Sequence, residues 1–304
     1  MRITEPGRIS DHVIFVGDFM MSFYIIDAPK KALVDTGMSV NVRNLTHDIE
    51  KTIGGFDKLD YVFLTHSHYD HVGLVSYIKR VNPRIKVVAH PYAKKVFSNP
   101  RAMEIIRNLN EQSMRFVPDL EEDWKEAAKI DRIEVDLTPE DGELFDLGNG
   151  VKMQVFYTPG HTRDSVTYYL TPDKAVFGSD GLGVYTGSGR IMAEFLSNYD
   201  EYLASIKKLK DLDIEIICLP HSGVVKGKDQ VTKHIEKHIE ETVDYRNRII
   251  NLYRRFGDTE KVVKTITMED YEKEKVFQPM EAYLINLRAM VKAALNSVKE
   301  EEIS

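Results

Sequence analysis

Cysteine is almost absent from this sequence: Cys218 stands alone among 304 residues, so no internal disulfide can form and the fold must hold by its core. No apolar run approaches the ~20 residues that span a bilayer, which argues against a membrane protein. The opening Met1-Arg-Ile-Thr-Glu-Pro-Gly lacks the apolar stretch of a signal peptide, so a cytoplasmic location and no membrane partner are the expectations. Basic charge is also short. Against 48 Asp and Glu there are 41 Lys and Arg, a formal charge of −7, whereas a phosphate backbone calls for the opposite excess. No nucleic-acid partner is expected. Glutamine occurs only at Gln112, Gln154, Gln230 and Gln278 amid many Lys and Glu, a bias shared with heat-adapted proteins. What remains, 42% hydrophobic and 29% charged, suits a globular protein of one large or two ordinary domains.

No fixed-period repeat or Gly/Ser linker interrupts the chain, and strand-like and helix-like segments alternate. Short β-branched or aromatic runs at 13–16, 23–26 and 32–34 read as an antiparallel meander. A helix over 40–53 ends at Gly54-Gly55. A strand at 61–65, a helix over 72–79 and a strand at 86–89 make the next unit, and a helical insertion covers about 92–130. Strands resume at 133–137, 144–147, 151–157, 166–170, 175–177 and 214–219. A helix over 199–210 is announced by the capping pattern Ser197-x-x-Asp200. After Gly227 two long helices follow, with apolar stripes through Val231, Ile235, Ile239 and Val243, and through Leu284, Leu287, Val291, Leu295 and Val298. Two strand sets with helices between them imply a layered α/β sandwich.

The chemistry concentrates in Thr65-His66-Ser67-His68-Tyr69-Asp70-His71, three imidazoles and a carboxylate directly after an apolar strand. Such groups are ligands for Zn, Fe and Mn. Alternate residues of an extended loop point the same way, so His66 and His68 can share one metal while Asp70 and His71 turn toward a second. His161, Asp180 and His221 each sit just past the end of a strand, where layered α/β folds gather function.

The pattern His66-x-His68-x-Asp70-His71, followed by His161, Asp180 and His221, resembles the metallo-β-lactamase-fold hydrolases, with the ligand set of their glyoxalase II-like and RNase Z-like members. The resemblance implies a four-layer αββα sandwich over 1–227 and a helical extension over 228–304 packed on the site. It also implies two divalent metal ions, zinc first, with iron or manganese as alternatives. His66, His68 and His161 would bind one ion, Asp70, His71 and His221 the other, and Asp180 would bridge them. Asp35, in Val34-Asp35-Thr36-Gly37, matches the family's early aspartate and would support the site from behind. Asp70 and Asp180 would orient a metal-bridging hydroxide. The stretch Thr158-Pro-Gly-His-Thr-Arg-Asp-Ser165 departs from the family's pattern at Arg163-Asp164, which leaves substrate choice open. Length and helical C-terminus look similar to the thioesterase of alkylquinolone signalling, which favours a small acyl substrate. The extra His motif and RNA-grasping arm of RNase Z-like enzymes are not found.

The leading expectation is therefore a metal-dependent hydrolase of an ester-type bond, preferentially a thioester, with a lactone or phosphodiester as alternatives. An iron-dependent sulfur dioxygenase holding one metal, and a regulatory binding protein with residual turnover, are the readings of other classes. Candidate pocket residues are Tyr69, Arg163, Tyr185, Phe277, Tyr283 and Asn286, with Met280, Met290 and Arg190 nearby. Tyr283, Asn286 and Met290 are placed on a different side of the last helix from its apolar stripe. His234 and His238, spaced i, i+4, read as a surface or partly buried pair, since His-Ile-Glu-Lys-His lacks the metalloprotease order. The C-terminal helices would serve either the pocket or a homodimer interface.

Overall fold

A computed structural model describes residues 1–271, 273 and 280–298. The candidate Phe277 lies outside the described residues. Strands β1 (Arg2–Ile3), β2 (Gly7–Arg8), β3 (Val13–Gly17), β4 (Ser22–Ile26), β5 (Lys31–Val34), β6 (Leu59–Phe63) and β7 (Lys86–Val88) open the chain, and β2 to β7 lie in that order in one sheet. The later strands are β8 (Leu144–Gly148), β9 (Val151–Tyr157), β10 (Val166–Thr171), β11 (Ala175–Phe177), β12 (Val184–Tyr185), β13 (Ile191–Met192), β14 (Ile216–Cys218) and β15 (Val224–Lys226). The second sheet runs β1-β15-β14-β11-β10-β9-β8, and β12 and β13 form a separate hairpin.

Three apolar cores separate four layers. Val13, Phe15, Tyr24 and Ile26 face Val155, Val166, Tyr168 and Phe177 between the sheets. Their neighbours Ile14, Val16, Phe23 and Ile25 point the other way, onto helix α1 (Val42–Ile53). These strands are apolar on both faces because both faces are covered. The third core lies between the second sheet and the later helices, joining Val176, Ile217 and Val225 to Tyr202, Ile206, Ile235 and Leu287. The layered sandwich is thus realised as αββα.

Helices α2 (Tyr69–Val72) and α3 (Val75–Val81) replace the single helix expected at 72–79. The break has a hydrogen-bond cause: Gly73 N donates to the Gly37 carbonyl at 2.7 Å and Leu74 N to Thr36 Oγ1 at 3.2 Å. Helices α4 (Pro91–Phe97), α5 (Pro100–Ser113) and α6 (Glu122–Ala127) form the insertion. The segment 133–137 is not a strand. The Asp136 carboxylate accepts Val87 N at 2.8 Å, taking a donor that a strand ladder would use, and one parallel bridge, Val88 to Leu137, remains.

Helix α7 (Tyr199–Lys210) is capped by Asn198, whose side chain accepts Glu201 N. Ser197 instead donates from Oγ to the Gly160 carbonyl at 3.0 Å, tying down the loop that carries His161. Helix α8 (Lys228–Phe256) ends at Gly257 in the left-handed region. Two further helices follow among the described residues, α9 (Thr259–Asp270) and α10 (Met280–Asn296), so α9 is an addition to the two expected. On α10 the residues Tyr283, Leu287, Met290 and Val291 share the buried face, which corrects the separate face expected for Tyr283 and Met290.

Strands β5 and β6 run parallel, as do β11 and β14. Strand β9 is antiparallel to β10 and β10 to β11, so β9, β11 and β14 also share one direction. Every candidate ligand loop therefore leaves its sheet at the carboxyl ends of like-directed strands. The two sheets are tied at that edge, where Val166 N donates to the Thr65 carbonyl at 2.8 Å and Tyr168 Oη to the Leu64 carbonyl at 2.7 Å.

Gly160 allows the His161 loop to press on α7: its φ is +128°, and an added Cβ would sit 2.2 Å from the Tyr202 backbone. Gly160→Ala is expected to cost about 3 kcal/mol or more from strain and overpacking. Gly142→Ala, at φ +89° with nothing within 4 Å, is expected to cost about 1 kcal/mol. Urea unfolding of the two variants beside wild type checks the difference; equal losses would contradict it.

Candidate metal centre

The seven ligand candidates converge. His66, His68, His161 and Asp180 form one group and Asp70, His71 and His221 a second, with the ligand atoms of each within 4.8 Å of one another. Asp180 lies between the groups. Its Oδ2 is 3.8 Å from Nε2 of His66, 3.5 Å from that of His161 and 3.6 Å from that of His71, and its Oδ1 is 3.4 Å from Nε2 of His221. His68 approaches through Nδ1, 3.1 Å from Nε2 of His161. Asp70 faces the second group, its Oδ2 3.7 Å from Nε2 of His221 and its Oδ1 4.0 Å from that of His71.

The imidazoles are oriented by what holds their other nitrogen. His71 Nδ1 donates to Asp35 Oδ2 at 2.9 Å, His161 Nδ1 to the Glu194 carbonyl at 2.8 Å and His221 Nδ1 to the Met20 carbonyl at 2.6 Å. His66 Nδ1 lies 3.1 Å from Thr65 Oγ1, which itself donates to Asp35 Oδ2 at 2.7 Å. Each of these rings so carries a proton on Nδ1 and turns its Nε2 inward, toward the place a cation would take. Asp35 also accepts Thr65 N at 2.8 Å, and it holds a left-handed backbone (φ +57°) at the end of β5.

Nε2 of His66 and of His71 and Oδ1 of Asp180 are buried with no hydrogen-bond partner among the described residues. Buried acceptors without donors are costly, and a cation satisfies several at once. The donor set, imidazole and carboxylate without thiolate, fits Zn, Fe or Mn. His68, Asp70 and His221 are only half-buried, so the centre opens to solvent on their side.

Electrostatics agree with that fit. Burial, with the neighbouring imidazoles, holds His66 well below the usual histidine range and His161 down to about 4, so both are neutral. Burial acts against charge on His71, but Asp180, Asp35 and Asp70 together raise it, so without a metal a proton on its Nε2 takes the place that a cation would fill. Burial also opposes ionisation of Asp180, and His221 and His71 reverse this, keeping its carboxylate charged.

The pocket candidates fare differently. Tyr69 is half-buried, and burial followed by the fields of Asp70, Asp180 and Glu194 raises its phenol, so it stays protonated beside the cluster. Arg163 is exposed on the His161 loop. Tyr185 donates to Nδ1 of His234 at 2.9 Å and stacks under the Arg2 guanidinium. Tyr283 is buried around a small cavity with Arg190, Glu241, Tyr245 and Asp270, and Asn286 is half-buried on α10. Arg190 pairs with Glu241 at 2.8 Å.

His234 and His238 are fully buried, which corrects the expected surface or partly buried pair; both lie in the packing of α8 against the ligand loops. Sequence reasoning also missed the Glu194 and Met20 carbonyls. Backbone acceptors leave no sequence signal.

Residues 16–221 match the family described as the Metallo-beta-lactamase superfamily. The chain is 28% identical over 222 residues to a metallo-beta-lactamase fold-containing protein of Sulfurisphaera tokodaii, covering 72% of this chain and 77% of that one. It is 30% identical over 200 residues to a hydroxyacylglutathione hydrolase of Ruegeria pomeroyi, covering 64% of this chain and 58% of the relative. Among solved structures it resembles a metallo-beta-lactamase family protein of Thermus thermophilus, with a TM-score of 0.64 at 17% identity over 98% of this chain and 93% of that one; at that identity the likeness concerns the fold.

Asp35→Asn removes the charge that three donors share and is expected to weaken Zn²⁺ binding by about 10- to 100-fold in chelator competition; unchanged affinity would contradict the support role. A pH effect follows from His234, which burial lowers to about 4 in the fold against 6.5 ordinarily. Between those values the unfolded chain binds the extra proton, so stability falls as pH drops through this window. In metal-free protein the wild type should lose about 2 kcal/mol more than His234→Gln between pH 7 and pH 5. Urea midpoints at the two pH values measure it, and equal losses would refute it.

Proposed function

This chain belongs to the metallo-beta-lactamase superfamily, and from that premise we propose that it is a hydrolase whose two ligand groups hold two divalent ions and which cleaves an ester-type bond, preferentially a thioester. The observation that carries the reading is the Asp180 carboxylate, set between two ligand groups whose inward-facing nitrogens include the buried, unpartnered Nε2 of His66 and His71. The acyl preference draws on the Ruegeria pomeroyi relative, named for an acylated form of glutathione.

When bound, the ions would polarise the scissile carbonyl and supply hydroxide from water near neutral pH. The protein's own groups do the rest. The ionised Asp180 fixes the spacing of the two ligand groups. Asp70, half-buried at the open side, can accept the proton released from the attacking water and pass it to the leaving thiolate. The protonated Tyr69 phenol is an O–H donor for the carbonyl oxygen as negative charge develops there. No side-chain nucleophile is needed, and Cys218 is buried in β14. Water adds to the carbonyl, the C–S bond breaks, and a carboxylic acid and a thiol leave.

Elemental analysis of metal-reconstituted protein should give about two ions per chain, and turnover should be faster on S-acyl thioesters than on lactones or bis-p-nitrophenyl phosphate. His68→Ala should lower turnover by at least about 10²-fold, and chelator should abolish it reversibly. One iron per chain with oxygen consumption would instead mark a sulfur dioxygenase, and two ions with no turnover on any of these would mark a binding protein.

A further inference from the structure

His234 and His238, one turn apart on α8, are 4% and 1% exposed and lie outside both ligand groups. What they touch is specific. His234 Nε2 donates to the Leu182 carbonyl at 2.9 Å, the last residue of the short turn that Asp180 begins. A neutral imidazole donating from Nε2 has a bare Nδ1, and there the Tyr185 hydroxyl donates at 2.9 Å. The Tyr185 N–H in turn donates to Ser222 Oγ at 3.0 Å, beside His221. His238 Nε2 lies 2.9 Å from the Tyr202 hydroxyl, which accepts Glu194 N–H at 3.1 Å. The carbonyl of that same Glu194 orients His161. Gly183 (φ +86°) closes the assembly, since an added Cβ would meet His238 Nε2 at 3.1 Å and the Ile191 side chain at 2.4 Å.

We propose that His234 and His238 are positioning residues of the metal centre: His234 fixes the Asp180 turn and the Tyr185 link to the His221 loop, and His238 fixes, through Tyr202, the residue that orients His161. The inference rests on the reading of the seven-residue cluster as a metal centre. An apolar pair would pack α8 against the loops as well, but it would leave the Leu182 carbonyl and the Tyr185 hydroxyl without these bonds. Three ligands from three loops are thereby referred to one helix. Burial keeps both imidazoles neutral, His234 down to about 4, so each remains able to accept a hydrogen bond across the ordinary pH range.

The test uses the full chain and Zn²⁺ in competition with a chromophoric chelator, with the visible spectrum of the Co²⁺-loaded protein as a second readout. Wild type examines the premise: no ion bound would remove the metal reading and this role together. With two ions bound by wild type, His234→Leu and His238→Leu are expected to weaken Zn²⁺ binding by about 10- to 100-fold and to shift the Co²⁺ bands. His234→Gln, whose amide can still donate to Leu182, is expected to restore affinity to within about threefold of wild type. If a leucine variant does not fold, Tyr185→Phe or Tyr202→Phe, each removing one oxygen, carries the same expectation for its branch. Wild-type affinity and unaltered Co²⁺ bands in folded variants would overturn the proposal and leave the metal centre standing.

Discussion

The constraint on which this molecule turns is a buried carboxylate ringed by imidazoles that all turn Nε2 toward it. Asp180 is 4% exposed and has four imidazole Nε2 atoms within 3.8 Å. Lone pair facing lone pair at that distance, away from water, is unfavourable unless positive charge lies between them. The surrounding hydrogen bonds do not relieve it; they enforce it, because Asp35 and the carbonyls of Glu194 and Met20 hold the Nδ1 protons on the outer side. The fold thus spends stability to keep a cation site preorganised, and the αββα layers provide the rigidity this requires.

Those layers also explain where the site is. Apolar strands covered on both faces leave polar groups only at strand ends, and like-directed strands from both sheets end at one edge. Candidate ligands that follow one sheet, His66, His68, Asp70 and His71, meet those that follow the other, His161, Asp180 and His221. The helices beyond the second sheet are part of the same device. Tyr202 on α7 touches both the Gly160 turn and Glu194, and α8 reaches the Asp180 turn through His234.

Much of this was legible in the chain, for reasons that differ residue by residue. The run from His66 to His71 is local, so its density speaks for itself. His161, Asp180 and His221 were found because each follows an apolar strand with a turn-forming neighbour. Asp35 was pointed to only by the family resemblance, and its partners, Thr65 and His71, had to be seen. Interruption of the helix at Gly73 was hidden because its cause is a distant carbonyl upstream, at Gly37. The segment 133–137 has strand composition, but the Asp136 side chain competes for the ladder donor. Burial of His234 and His238 depends on the approach of α8 to residues 52 and 36 positions earlier, Leu182 and Tyr202, and periodicity alone assigns a helix face without saying what it meets.

The most direct measurement is anomalous diffraction at the zinc edge from crystals of the Zn²⁺-loaded protein. The account predicts two peaks about 3.5–4 Å apart, each about 2.0–2.3 Å from its imidazole and carboxylate ligands, with Asp180 reaching both. A single peak, or peaks that Asp180 does not reach, would contradict it.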